Sequence, residues 1–366
     1  KFVILSNSYY KYNNGGTEIQ CKYIADFFIK KKYEVYYIFL HDQDLSYNDH
    51  EIHLHGIKKE SSLRLKLFGK IIYYNKVLKL LDSINPDIIY HRNLSNFALP
   101  VLNYSISKNI KTILHLAHIM DVEKINIFNK HIVHNLINKM GKKKLLMNFM
   151  YIIGQTKYQD ELLSKNFNRE CDLIIPNFHP YTKENISKSN KIKILWIANL
   201  KDWKQPKKFI QLAEECKYTN AEFIMIGKNP KNEWSKGLEK RISEIKNLSY
   251  LGELPIKRVN EFLAESHILV NTSLYEGFPN TFIQAWMRKV PVVSLNVDPD
   301  DVLKQNEIGY HSISFDKMIN DVKFLISNNK LRDEMGEKAQ KYAFKNHSLK
   351  NIGKLIGLIE DEKNNI

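Results

Sequence analysis

A chain of 366 residues, 43% of them hydrophobic, is long enough for two domains that each close their own core. No apolar run reaches the ~20 residues of a membrane-spanning helix, and the three cysteines (Cys21, Cys171, Cys216) stand too far apart in sequence for a metal-ligand or disulfide framework. The net charge of +15 is concentrated, with 16 Lys and Arg against 6 Asp and Glu over residues 51–150. That balance suits an anionic partner (a phosphate-bearing acceptor, an anionic membrane face or nucleic acid) or else a solvated lysine-rich surface. No signal peptide is legible, and the cysteine usage fits a reducing compartment, so the expected location is cytoplasmic.

Phe2–Ser6 reads as a buried strand, followed by a loop from Asn7 to Gly16 and a helix that starts at Thr17-Glu18, with apolar residues at Ile19, Tyr23, Ile24, Phe27 and Phe28. The next strand is Glu34–Phe39. Paired glycines, Gly15 and Gly16, just before a helix let backbone approach a phosphate closely, though Gly-Gly alone is a weak signal. Residues 61–81 form a basic amphipathic helix in which Lys66, Lys70, Lys76 and Lys79 interleave with apolar residues. It is either packed on a sheet or exposed as an interfacial surface. Lys139–Tyr151, with Lys142-Lys143-Lys144, is a second such segment.

Pro86–Arg92 and Ile110–His118 are strands that end in polar residues, and polar groups at the carboxyl ends of parallel strands face a ligand crevice. His131 and His134 lack nearby carboxylates and make no metal site. Tyr151–Thr156 and Asp172–Asn177 are the last strands of the first half, and Pro180–Asn190 is the linker. A second α/β set opens with Ile192–Leu200. It continues through strands at Glu222–Gly227 and Leu248–Gly252, and helices at Ser235–Lys246 and Lys257–Ser266. Asp298-Pro299-Asp300-Asp301 contains a D-x-D pattern, which its Pro and its position make a turn, so no metal is expected. Ser312–Phe315 is the final strand, and residues 317–366 are helical.

Between the buried strands Ile268–Thr272 and Val290–Leu295 lies Tyr275-Glu276-Gly277-Phe278-Pro279-Asn280-Thr281-Phe282-Ile283-Gln284-Ala285-Trp286. A strand, a Gly/Pro loop and a helix start form an anion site, because the first helical amides have no partner within the helix. Glu276 precedes those amides, and Gln284 is expected in the first helical turn. Thr281-x-x-Gln284 also has capping-box spacing, so Gln284 can equally close the helix start.

This stretch resembles the E-x7-E segment of family 4 glycosyltransferases, retaining enzymes of the GT-B fold of the kind that assemble bacterial surface polysaccharides and glycolipids. The resemblance implies that Glu276 contacts the donor sugar and that Gln284, standing where the family has Glu, contacts the nucleotide ribose. Gln keeps a carbonyl acceptor and amide donors for a diol. Gly277, Phe278, Pro279, Asn280 and Thr281 would line the diphosphate. Gly15-Gly16-x-Glu18 resembles the loop that covers the diphosphate from the first domain, and His118, with His115 as alternate, the His that reaches the donor sugar. Gln155, Thr156, Gln159 and the Ile-Pro-Asn segment match as well. Lys204 falls on the Lys of G-R-L-x-x-x-K and Asn199 replaces its Arg, so one cationic phosphate clamp is missing. Gly227 and Leu254, in β–α turns, would frame the base.

The implied architecture is α/β: two Rossmann-like parallel-sheet domains facing across a cleft. Residues 1–180 would bind the acceptor and 181–345 the nucleotide sugar, with residues 346–366 returning to the first domain. The implied reaction is hexosyltransferase-type transfer of a sugar, with retention, from a nucleotide diphosphate sugar to a glycan or lipid-linked acceptor, without metal, cofactor or nucleic acid. The basic segments would place such a protein peripherally on the cytoplasmic face of a membrane. A sugar-nucleotide epimerase of the same fold, a nucleic-acid-binding protein and a non-catalytic relative are the competing readings.

Overall fold

Short apolar runs bounded by polar turns become parallel strands here because helices cover them from both sides. In a computed structural model, which describes residues 1–13, 15–61, 72–124, 132–181 and 188–360, the chain divides into two units, Lys1–Asn177 with Leu349 onward, and Phe178–Ser348.

In the first unit, β1 (Phe2–Leu5), α1 (Gly16–Lys30), β2 (Val35–His41), β3 (Leu45–Asp49), β4 (Ile52–Lys58) and α2 (Tyr74–Ile84) lead to β5 (Ile88–Arg92). Then come α3 (Ala98–Lys108), β6 (Lys111–His115), α4 (Ile132–Asn148), β7 (Tyr151–Gly154), α5 (Lys157–Phe167) and β8 (Leu173–Ile174). The sheet order is β3-β4-β2-β1-β5-β6-β7-β8, and among the described strands only the β3–β4 pair is antiparallel. Val3 and Leu5 of β1 face the cluster built by Val77, Leu81 and Ile84 of α2 and Val101 and Leu102 of α3. From the same strand, Phe2 stacks on Phe28 of α1 with ring centroids 3.8 Å apart.

The second unit runs β9 (Ile192–Ile197), α6 (Pro206–Glu215), β10 (Ala221–Ile226), α7 (Glu233–Ser243), β11 (Leu248–Tyr250), α8 (Ile256–Glu265) and β12 (Ile268–Asn271). It continues with α9 (Asn280–Trp286), β13 (Val292–Ser294), α10 (Val302–Gln305), β14 (Gly309–His311), α11 (Phe315–Ser327) and α12 (Asn329–Asn346). All its strands are parallel, in the order β11-β10-β9-β12-β13-β14. Alternation along each strand feeds two separate cores. Ile194, Trp196, Phe223, Met225, Ile268 and Val270 pack into one cluster, whereas Leu195, Ile224, Ile226 and Leu269 pack into the other. The chain then re-enters the first unit through the turn Leu349–Gly353 and α13 (Lys354–Glu360), where Lys111 Nζ donates to the Ile359 carbonyl at 2.7 Å.

Four expectations change. The β3–β4 hairpin has no counterpart in the sequence reading, because Ser46, Tyr47 and Asn48 are exposed and show no apolar pattern. The final strand is Gly309–His311 rather than Ser312–Phe315, because Ser314 caps α11, its Oγ accepting from the Lys317 amide. Of the basic helix expected over 61–81, residues 62–71, with Lys66 and Lys70, lie outside the described residues. The described part, α2, buries its apolar side in the core and pairs Lys76 with Asp44. Gln284 is the fifth residue of α9, hence in its second turn.

Candidate functional site

In an open parallel sheet, the chain direction of successive connections reverses at one point, and side chains just beyond the carboxyl ends of the strands there converge. In the second unit that point lies at β9 and β12, neighbours in the sheet although widely separated in sequence. Beyond β9 the chain forms a short turn, Asp202–Lys204, before Pro206 opens α6. Beyond β12 lie Thr272, Ser273 and Glu276. Buried Thr272 joins the two segments: its Oγ1 accepts from Trp196 Nε1 at 2.9 Å and donates to the Lys204 carbonyl at 2.7 Å. The Leu274 amide donates to the Trp203 carbonyl at 2.9 Å.

With both backbones fixed, Lys204 Nζ forms an ion pair with Glu276 Oε1, and Ser273 Oγ donates to the same oxygen at 2.8 Å. Both side chains are largely withdrawn from water, 16% and 13% exposed. Burial pulls the Lys204 ammonium below the ordinary lysine range, and the Glu276 carboxylate opposes that shift. The ammonium also lies 4.1 Å from the centroid of the Trp203 ring, which stacks on Tyr275 at 5.3 Å with 7° between planes.

Asn199 Oδ1 accepts from the Lys228 amide at 3.2 Å. Gly227 is dictated by close backbone approach, since a Cβ there would lie 1.7 Å from the Ala198 carbonyl oxygen. Its amide donates to the Gly252 carbonyl at 2.8 Å, and Tyr250 donates to its carbonyl at 2.7 Å. Leu254 is half-buried against the cluster containing Leu195 and Ile224. Gly277, Phe278 and Pro279 are buried, Phe278 against Trp286 and His347, while Asn280 and Thr281 open α9 half-exposed. The residue before α9 is Pro279 and no side chain caps the helix, so the capping box does not form. Gln284 instead buries its amide, donating from Nε2 to Asn260 Oδ1 of α8 at 3.1 Å.

In the first unit, Gly15 and Gly16 open α1 with no capping side chain. A Cβ on Gly15 would meet Glu18 Oε2 at 2.2 Å, so the glycine makes room for Glu18 to fold back. Burial raises the Glu18 carboxyl, with its own amide, Asn13 and Arg92 acting in the other direction. His118 caps a short turn: its Nδ1 accepts from the Met120 amide at 3.1 Å, and Asp121 accepts from the Ala117 and His118 amides. His115 is fully buried. Desolvation and nearby Arg92 hold it well below the ordinary imidazole range, so it is neutral, donating to the Ile175 carbonyl and accepting from Tyr90 at 2.7 Å. Gln155, Thr156 and Gln159 close the start of α5: Thr156 accepts from the Gln159 amide and Gln159 from the Gln155 amide.

Arg92 and Asn177 form a buried polar centre, Arg92 and Gln155 both donating to Asn177 Oδ1, at 2.6 and 2.9 Å. The position of Arg92 at the carboxyl end of β5 was the available signal, but its partner is 85 residues away. Trp203, Thr272 and Ser273 were missed because their contacts too are long-range. Asp298 of the D-x-D pattern accepts from the Leu303 amide at 2.8 Å, and burial raises its carboxyl. Among the described residues no three His, Cys, Asp or Glu side chains come together as a metal site. His131 lies outside them. Among them also, no helix is long and apolar enough to cross a membrane.

Residues 178–342 match the family described as glycosyl transferases group 1. The chain is 23% identical to one subunit of human phosphatidylinositol N-acetylglucosaminyltransferase over 336 residues, 84% of this chain and 64% of that protein, so it spans less than two thirds of that relative's length. Among solved structures, sucrose-phosphate synthase from Thermosynechococcus elongatus superposes with a TM-score of 0.78 at 12% identity, covering 99% and 98% of the two chains. HepE of Anabaena, in complex with UDP and glucose, gives 0.73 at 15%, covering 99% of each. The fold is GT-B, and the resemblance to GT-B glycosyltransferases expected from the sequence holds at that level.

Proposed function

We propose that this GT-B chain is a retaining glycosyltransferase that moves a sugar from a nucleotide diphosphate sugar to a glycan or lipid-linked acceptor. The observation that carries the reading is the Lys204–Glu276 pair at the carboxyl edge of the second sheet. The leaving group is a nucleoside diphosphate, so stabilising its charge is the main catalytic task. Lys204 takes the diphosphate, together with the backbone amides after Pro279. Glu276, released from Lys204 by the incoming phosphate, turns to the sugar hydroxyls. Asn199 supplies a neutral hydrogen bond, and Gly227 and Leu254 border the base. Gln284 has its amide bonded to Asn260, so a ribose contact requires that bond to open. The donor's own phosphate oxygen can take the acceptor proton, so no protein base or metal is needed.

UDP-sugars are the first donors to test, since the HepE structure contains UDP and glucose. The test is a release screen across UDP-, GDP- and ADP-sugars, with the anomeric configuration of any product read by proton NMR. Transfer or hydrolysis with retention supports the reading; a free epimerised sugar nucleotide would assign the site to an epimerase instead.

The lipid-linked acceptor has support of its own. Exposed Met140 and Met147 lie on one side of α4 with exposed Lys143 and Lys144, a pattern that suits an anionic membrane surface on the cytoplasmic side. Salt-sensitive co-sedimentation with anionic liposomes, weakened when Lys143 and Lys144 are neutralised together, is the expected outcome. Liposomes ignored at low salt would leave a soluble acceptor.

A further inference from the structure

We propose that the first unit holds an anion site in the pocket between α4 and the end of α5, and that it takes a phosphate group. The pocket has a volume of about 310 Å³, at the small end of the ~300–1,000 Å³ usual for ligand sites. Lys124, Lys142, Lys143 and Lys165 line it, buried Phe167 contributes apolar wall, and among the described residues no carboxylate does.

The frame is fixed. α5 ends at Phe167 because Asn168 takes up a left-handed backbone conformation, its amide donating to the Ser164 carbonyl. Asn166 Nδ2 donates to the Val122 carbonyl at 2.9 Å and ties that last turn to the segment before Lys124. Lys142 Nζ donates to the carbonyls of Met120 and Glu123, at 2.5 and 2.7 Å, and sits 5.8 Å from the Phe167 ring centroid.

Some exposed lysines of this unit find acids, Lys59 with Asp42, Lys76 with Asp44 and Lys108 with Asp82; those of the pocket share one cavity whose described lining holds no carboxylate. Among the described residues Lys124, Lys143 and Lys165 have no ion pair. The carbonyl end of α5 accounts for Lys165, since cations are favoured there, but not for Lys124 and Lys143. An anion in the pocket would face Lys124, Lys143 and Lys165 together, beside Lys142 with its carbonyl partners. Ammonium groups act as point charges without the planar fork with which Arg reads a carboxylate, and a phosphate monoester brings close to two negative charges at neutral pH. That phosphate can belong to a soluble compound or to a lipid headgroup. The inference does not rest on sugar transfer.

The test is calorimetric titration of the full chain with pyrophosphate. Three forms are compared: wild type, the double variant Lys124→Ser, Lys165→Ser, and a control with the same charge change, Lys217→Ser, Lys240→Ser. Any binding at Lys204 is common to all three. The pocket variant should lose a binding component or weaken it by about tenfold or more, as expected when charged hydrogen bonds are removed, while the control should not. Phosphatidylcholine vesicles with and without phosphatidic acid form the second arm. Retention of wild type but not of the pocket variant makes the source a lipid headgroup, and a response to pyrophosphate alone makes it a soluble phosphate. If the pocket variant and the control behave alike toward both probes, the site does not exist.

Discussion

Lys204 is held in a setting that makes its charge conditional. Desolvation disfavours the ammonium, and Glu276 is the chief group that restores it. In the proposed reaction an arriving diphosphate takes over that role, so that the pair is exchanged rather than broken. Two outcomes follow for nucleoside diphosphate binding measured by calorimetry. Lys204→Ala should weaken it by about 1.5–3 kcal/mol, the range for a hydrogen bond to a charged group. Affinity in the wild type should also fall as pH rises through the lowered lysine pKa, at a lower pH than the ordinary value of 10.5 would give. Unchanged affinity in the variant would remove Lys204 from the diphosphate. Which side chains meet here was not legible in the sequence: Lys204 and Glu276 are 72 residues apart, and only the order of strands in the sheet joins them. The same holds for Gln284, whose spacing from Thr281 allows a cap, whereas its actual partner, Asn260, belongs to another helix.

At the scale of elements, the buried parallel strands were the most legible part. Runs such as Ile194-Leu195-Trp196 and Leu269-Val270 stay apolar at every position because alternate residues enter different cores. The β3–β4 hairpin was not legible. Its turn, Asp49-His50-Glu51, lacks glycine although His50 takes φ 54°, so the usual hairpin signal is missing. The β14 region misled because Ile313 and Phe315 imitate strand alternation, while Ile313 has φ 65° and Phe315 already begins α11. Gly227 shows how an element junction constrains a site. Gly227→Ala should force the ends of β9 and β10 apart and cost about 1–3 kcal/mol, the usual range for overpacking. Urea unfolding checks this, and an unchanged midpoint would show that the junction can shift freely.

At the scale of the molecule, the second unit carries an acid liability. His267 is buried and accepts from the Lys193 amide, and desolvation with Lys188 and Arg332 nearby brings its pKa from 6.5 to about 4. Above pH 6.5 the imidazole is neutral in both folded and unfolded chains and costs nothing. Between 6.5 and 4 the unfolded chain takes up a proton that the folded one refuses, so stability is lost as pH falls, by roughly 3 kcal/mol at most. Neutral, fully buried His115 in the first unit acts in the same direction. Unfolding midpoints followed from pH 7 to 4 should show this loss, and His267→Asn should flatten it; an equal slope in the variant would place the liability elsewhere.

The assignment of sugar transfer to the Lys204–Glu276 pair is tested most directly by nucleoside diphosphate release from UDP-, GDP- and ADP-sugars, comparing wild type with Glu276→Ala after circular dichroism has shown the variant to be folded. The wild type should release diphosphate from at least one donor, and the variant should be slower by about 10²-fold or more, as for loss of a contact made in the transition state. Release from none of the donors, or an equal rate from the folded variant, would contradict the assignment.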